Sequence, residues 1–280
     1  MKVSPRSWRA LMRRPNARIG APLLALMVLI AVAGYLHTPY DPLDIDLPHR
    51  LQAPSLLHWL GTDEWGRDVL SRLMAGASAT MSISSLTVLL AVTGGSIVGA
   101  AIGFFGGWTE RVVSTVLDAL LAFPSLIMAL GIMAVFGPSR AGVVVALSLT
   151  YLPSVARVVR ASVLSLREKE FVQASRVMGN SDLFTLFRHI LPNCVSSIIV
   201  LGTALFGWAL LAESALSFLG LGVPPPMSSW GGMLADSRNH IYHAPWLAIA
   251  PGVSISLSLL AVNLLGDALR DQFDPRMNNL

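Results

Sequence analysis

The sequence predicts an all-α, polytopic membrane protein with six transmembrane helices, and three observations carry that expectation. Of the 280 residues, 54% are hydrophobic and only 13% charged, whereas soluble domains carry about 25% charged residues. The apolar residues gather into long charge-poor runs, and a hydrocarbon core about 30 Å thick needs roughly 20 such residues per helical span. Basic residues are also sorted: with six spans, fifteen of the twenty Lys and Arg fall on one side, which marks the cytoplasmic side and puts both termini there. This composition excludes a soluble enzyme. With 23 Gly and 17 Pro scattered along the chain and Cys194 as the single cysteine, it also excludes a disordered protein and a disulfide scaffold. The isoelectric point near 9.7 reflects loop arginines rather than nucleic-acid binding, because so apolar a chain already requires them.

Taken in order, a basic cytoplasmic segment, 1–18, precedes an uncharged run. Ala31-Val32-Ala33 has the small residues of a signal-peptide cleavage site, but the run exceeds the roughly 7–15 residues of a signal sequence and further spans follow. Residues 19–36 therefore read as an uncleaved first helix. An extracytoplasmic segment, 37–81, leads into a five-helix core, 82–265, with spans at 82–105, 112–135, 142–159, 194–216 and 246–265. A long cytoplasmic connection, 160–193, lies between the fourth and fifth spans, and 266–280 form a cytoplasmic tail. Trp108, Trp230 and Trp246 fall near span ends, where indole rings favour the interface. There is no internal repeat, and no pair of broken helices in matching halves of the kind an inverted-repeat transporter carries.

Absent motifs narrow the chemistry. There is no Gly-x4-Gly-Lys-Ser/Thr, and Lys2 and Lys169 are the only lysines, so no phosphate-binding loop assembles and the chain does not hydrolyse ATP alone. His-Glu-x-x-His and Gly-x-Ser-x-Gly are also missing. His240 and His243 have a spacing open to metal binding, but they read as two solvated loop residues. No metal, cofactor or catalytic residue is assigned. A membrane-embedded enzyme or scaffold is the competing class, and it lacks any nucleophile–base or metal-ligand constellation.

The cytoplasmic connection is patterned. In REKEFVQASRVMGNSDLFTLFRHILPN, Phe171, Ala174 and Met178 recur at helical spacing. Gly179 suits the left-handed position that ends a helix, Ser181 suits an N-cap, and Asp182 suits the positive end of the next helix. Phe184, Phe187 and Leu191 continue an apolar stripe that Pro192 is expected to stop. Two short helices meeting at a turn therefore present an apolar face. That face has three possible partners: the membrane surface, its own bundle, or a groove in another protein.

Gln173-Ala174-Ser175-x3-Gly179, nine residues, then His189-Ile190-Leu191-Pro192, resembles the Glu-Ala-Ala-x3-Gly-x9-Ile-x-Leu-Pro loop of permease subunits of bacterial ABC importers. Gln173, Ser175 and His189 depart from its Glu, Ala and Ile. LGTDEWGRDVLSRLMAG at 60–76, FGGWTERVVSTVLDALLAFP at 105–124, ESALSFLGLGVPPPMSSWGGML at 213–234 and GDALRDQFDPR at 266–276 look like the second permease of dipeptide, oligopeptide and nickel importers. The resemblance implies a type I ABC importer permease fold, with 160–193 as the coupling loop that sits in a cleft of an ATPase. It also implies a related second permease, two ATPase subunits and an extracytoplasmic substrate-binding protein as partners. Short peptides are the expected cargo, with nickel or a metal chelate as the alternative.

Three other features complete the reading. Ala91, Gly95, Gly99 and Gly103 recur every four residues and form a smooth strip for close helix approach, either within this subunit or across a permease pair. Asp63, Glu64, Arg67 and Asp68 read as a charge-matched surface turn rather than a catalytic carboxylate pair. Two acids lie in spans, where ionisable groups face a cavity or a partner. Asp118, near the inner end of the third, reads as structural. Glu213, late in the fifth, either touches cargo or holds an outer gate.

Overall fold

A computed structural model describes residues 11–12 and 14–273. Most of the basic N-terminal segment and the tail from residue 274 lie outside the described residues. Those described are almost wholly helical, with one isolated bridge between Thr62 and Asp68. Five helices are long and apolar enough to cross a membrane, six when one bent pair counts as a span.

Helix α1, Pro15–Leu36, starts four residues before the predicted span. Pro15 occupies the first turn, where a missing N–H is harmless. After a loop containing one 3-10 turn, Leu47–His49, comes α2, Val69–Phe105. Its 37 residues span about 55 Å at about 1.5 Å each, far more than the slab requires. The expected start at 82 is therefore corrected: hydropathy marks where lipid begins, but Asp68 caps the helix thirteen residues earlier by accepting from the Ser71 N–H at 2.7 Å.

The third span is not one helix over 112–135. It is α3, Gly107–Leu121, and α4, Ser125–Phe136, bent by 95°. Pro124 causes the break, because it offers no N–H and drives Phe123 out of the helical region. Among the described residues this is the one bent pair, so it has no counterpart in a matching half. Helix α5, Arg140–Arg167, is capped by Ser139, whose Oγ accepts from the Gly142 N–H at 3.0 Å. It runs two turns past residue 159, so the coupling segment begins inside it.

Two short helices follow, α6, Glu170–Val177, and α7, Asp182–Thr185. Leu186–Ile190 then form a π-helical turn that feeds α8, Leu191–Phe218, without interruption. Pro192 therefore does not stop the chain. It lies in the first turn of α8, and the wider π turn takes up the donor it lacks. Helix α9, Trp230–Ser237, lies within the 222–245 loop, and α10 is Trp246–Phe273.

The small-residue strip settles the place of α2. Ala91, Gly95 and Gly99 are buried, and Gly103 with them. A Cβ at Gly99 would collide with the Ala156 carbonyl, and one at Gly103 would stand 3.1 Å from the Arg160 carbonyl. The strip packs on α5, within this subunit, which brings the two backbones together along about three turns. Two apolar clusters flank α2. One gathers α2, α4, α5 and α8 around Ile83, Leu147, Val155 and Leu205. The other gathers α1, α2, α9 and α10 around Met27, Met81, Trp230 and Ile255.

Candidate functional site

The arginine-rich connection forms a hairpin at the end of the bundle carrying Arg157, Arg160 and Arg167, termed the basic end. Helix α6 closes with two bonds, Gly179 N–H to the Arg176 carbonyl at 2.9 Å and Asn180 N–H to the Ser175 carbonyl at 3.2 Å. Gly179 has φ +79, the left-handed conformation such a closure requires. Ser181 then accepts from the Phe184 N–H at 3.2 Å and starts α7, while Arg176 and Asp182 stand 3.8 Å apart across the turn.

Only one side of this hairpin is covered. Val172, Ser175, Thr185, Leu186 and Ile190 are buried. Ser175 Oγ and Thr185 Oγ1 share a hydrogen bond at 2.9 Å, and the Asn180 amide donates to Ser175 Oγ at 3.2 Å. Ser175 is thus the internal tie of the hairpin and not a contact residue, and its departure from alanine has a local purpose. Gln173 and Ala174 face outward with Phe171, Met178 and Phe187. Met178 is 71% and Phe187 65% exposed, and Val177, which the helical spacing had not singled out, reaches 88%. Leu191 packs against the core while Pro192 is exposed. His189 stacks edge-on against Phe184 at 5.7 Å. The Arg176 guanidinium lies 5.4 Å over the Phe104 ring and pins the hairpin to the end of α2.

The opposite, loop end is built differently. Asp63, read from the sequence as part of a surface turn, is buried. It accepts from Arg67 Nε at 2.7 Å, from the Trp65 and Arg67 N–H groups at 2.8 and 2.9 Å, and pairs with Arg72. Arg72 also reaches Ser228 at 3.2 Å and Asp236 at 3.2 Å, so it joins α2 to the 222–245 loop. His58 meets Asp68 at 2.9 Å, and His240 meets Glu64 at 2.8 Å. His240 is therefore a clamp residue, while His243 stays exposed. Among the described residues no group of three or more His, Cys, Asp or Glu side chains is arranged to hold a metal.

Glu213 lies directly beneath this clamp and is wholly buried. Ser217 Oγ donates to it at 2.8 Å and Ser214 Oγ at 3.5 Å, with Thr80 and Ser229 as further hydrogen-bond partners. Helix α9 presses onto this socket so closely that a Cβ on Gly231 would collide with the Ser214 backbone. The hydroxyls come from α2, α8 and the cap of α9, so one carboxyl ties three elements together.

Two of the concavities on the bundle are roomy. One, about 800 Å³, is apolar and lies among α1, α2, α8 and α10, with Val28, Val88, Phe206 and Val262 on its walls. The other, about 720 Å³, is polar and lies between α3 and α5. There Asp118 meets Arg157 at 2.6 Å, and Glu110 meets Arg160 Nε at 2.9 Å.

The sequence profile of the family described as binding-protein-dependent transport system inner membrane component matches residues 91–279, including the hairpin and α3 to α10. The chain belongs to that family. A second profile, the N-terminal transmembrane domain of oligopeptide transport permease C, matches 5–54. A Brucella suis protein described as a candidate permease of a peptide transport system is 44% identical over 96% of this chain and 90% of its own length. The dipeptide transport system permease protein DppC of Alkalihalophilus pseudofirmus is 39% identical over 99% and 92%. The glutathione transport system permease protein GsiD of Pectobacterium atrosepticum is 38% identical over 97% and 91%. The chain is thus a multi-pass transport permease subunit of the ABC importer type.

Proposed function

We propose that this permease is the second, C-type pore subunit of an importer that moves short peptides across the cytoplasmic membrane by alternating access. It pairs with a related permease, and ATP is hydrolysed on two separate ATPase subunits, one of which receives the hairpin. The observation that carries the coupling role is the outward row Phe171, Ala174, Val177, Met178 and Phe187, apolar and uncovered at the basic end. An apolar hairpin face fits a groove in a partner. The split of basic residues supports a cytoplasmic basic end and cytoplasmic termini, which puts the clamp on the side of an extracytoplasmic substrate-binding protein. Complete burial of Glu213 favours a gate-holding role over cargo contact.

Peptide cargo rests on what the relatives are named for, and selection falls to the binding protein. The test is uptake of labelled dipeptide and of nickel in a strain deleted for this subunit. Loss of peptide uptake is expected, and loss of nickel uptake alone overturns the cargo. Copurification of the subunit with ATPase activity that it lacks on its own tests the coupling role separately.

A further inference from the structure

The break between α3 and α4 interrupts a pair of helices that together are long and apolar enough to count as one membrane span. Helix α4 packs along α5, sharing a cluster in which Ala129 and Met133 meet Val143 and Leu147, and Met133 lies beside Gly142 near the loop end of α5. Ser125 is eight residues before Met133, or about 12 Å along the helix at about 1.5 Å per residue. With α4 standing along the membrane normal, that distance reaches close to the middle of a slab about 30 Å thick.

At this depth the backbone is open. The Ala122 N–H bonds to the Asp118 carbonyl at 3.1 Å, the Phe123 N–H to Leu120 at 3.3 Å, and helical bonding resumes with Met128 to Pro124 at 3.0 Å. Among the described residues no hydrogen bond is made by the carbonyls of Ala122 and Phe123 or by the N–H groups of Ser125, Leu126 and Ile127. All six residues from 122 to 127 are exposed. Irregular backbone at membrane depth persists only where protein covers it or where it lines a water-filled cavity.

A second observation chooses between those two. The polar concavity lies beside α3, the helix that leads into the break, and Glu110, Ser114, Thr115, Asp118 and Arg160 are among its walls. The Asp118 and Arg157 side chains are 64% and 56% exposed although they are paired, and Ser114 Oγ has no partner. Exposed charges of both signs on span helices call for water beside them.

We propose that the α3–α4 break and the adjoining polar concavity line the basic-end half of a water-filled cargo passage. The chemical class that suits this wall is a peptide backbone with its two charged ends. The break offers free N–H and C=O groups, the concavity offers charges of both signs, and neither favours any particular side chain. This rests on the permease reading, but its test does not depend on which cargo is carried.

In the assembled importer, with Cys194 replaced by serine, single cysteines at Ser125, Ala122 and Thr115 are exposed to a charged, impermeant methanethiosulfonate in inside-out vesicles. Ala146→Cys, in a wholly buried position, serves as the inert control. Loss of the free thiol is expected at all three sites and not at Ala146. Ser125 and Ala122 thiols that resist the charged reagent but react with a membrane-soluble maleimide face lipid, and the proposal fails. Thiols at those two positions inert to both reagents lie in a dry interface, and it fails equally. Full labelling combined with no peptide uptake in wild type faults the cargo and leaves the passage standing.

Discussion

The two ends of the molecule handle exposed chemistry in opposite ways. At the loop end, Asp63, Asp68, Arg72 and Glu213 are all buried, and every one of them finds partners within the chain. At the basic end the hairpin satisfies its polar groups locally through Gly179, Ser181 and the Ser175–Thr185 bond, yet leaves its largest apolar side chains uncovered. A region that closes on itself is part of the fold. One that stabilises its shape but not its surface is prepared for another molecule. The difference predicts that substitutions at the loop end act on folding, while those on the hairpin surface act on assembly.

The largest effect is expected at Asp63. Asp63→Ala takes the buried carboxylate from Arg72, whose side chain is 7% exposed, leaves it only Asp236 and Ser228, and removes a partner of Arg67. Removing one member of a buried, hydrogen-bonded pair costs about 3–5 kcal/mol. The thermal midpoint of the solubilised subunit should fall sharply, and the 222–245 loop should become protease-sensitive. An unchanged midpoint would make the clamp an ornament of the surface and erase the contrast.

Next comes the glycine strip. Gly99→Leu forces a side chain into the Ala156 backbone, and overpacking of this kind costs about 1–3 kcal/mol or more when the backbone must move. The subunit should be degraded or fail to assemble. Ile97→Leu, at a position 72% exposed, should be silent in the same measurement. Equal stability of both variants would mean that α2 does not rely on α5.

How much of this was legible in the sequence varied with the range of the interaction. The hairpin, with its left-handed glycine and serine cap, depends on residues within about ten positions, and its turn was readable in full. The five helices able to cross a membrane, and the bent pair that makes a sixth span if counted as one, were readable because lipid thickness imposes a length. The break at Pro124 was hidden, since apolar residues on both sides average into one hydropathy window. Pro192 misled for the converse reason: a proline in a first turn and a proline after a last turn look alike until the π turn is seen. The clamp was least legible. Arg72 and Asp236 are 164 positions apart, so the charges around Asp63 look like a surface turn until the fold brings their covers. The loop pattern marks Ser175 without saying which way it points, and the fold turns it inward.

On the hairpin, effects on stability and assembly should part. Gly179→Val has room, since nothing lies within 4 Å of a Cβ there, but a left-handed φ costs a branched residue about 1–2 kcal/mol. Ala174→Asp should leave the thermal midpoint of the isolated subunit almost unmoved, because residue 174 is exposed. In a docked groove, an uncompensated charge costs more than the roughly 1.4 kcal/mol that makes a tenfold change in affinity. Copurification of the ATPases should therefore fall at least about tenfold while membrane insertion is normal. If both variants transport like wild type, the exposed face is not the coupling surface.

The smallest effect tests whether the inside of the hairpin belongs with the clamp or with the docking face. Ser175→Ala removes the hydroxyl that Thr185 Oγ1 and the Asn180 amide share and restores the residue usual in the resembled loop. One such bond contributes about 0.5–1.5 kcal/mol net, and Thr185 can still turn its hydroxyl to a carbonyl one turn back. The expected outcome is a modest rise in amide hydrogen exchange confined to 170–190, with ATPase copurification and uptake within about twofold of wild type, as a shift below about 0.4 kcal/mol at the docking face would allow. Ser175→Asp, which places a charge between α6 and α7, should by contrast open the hairpin and lose docking together with protection. Loss of docking in Ser175→Ala without any change in exchange would mean that the serine meets the partner directly, and the division between a buried inner face and a docking outer face would have to be redrawn.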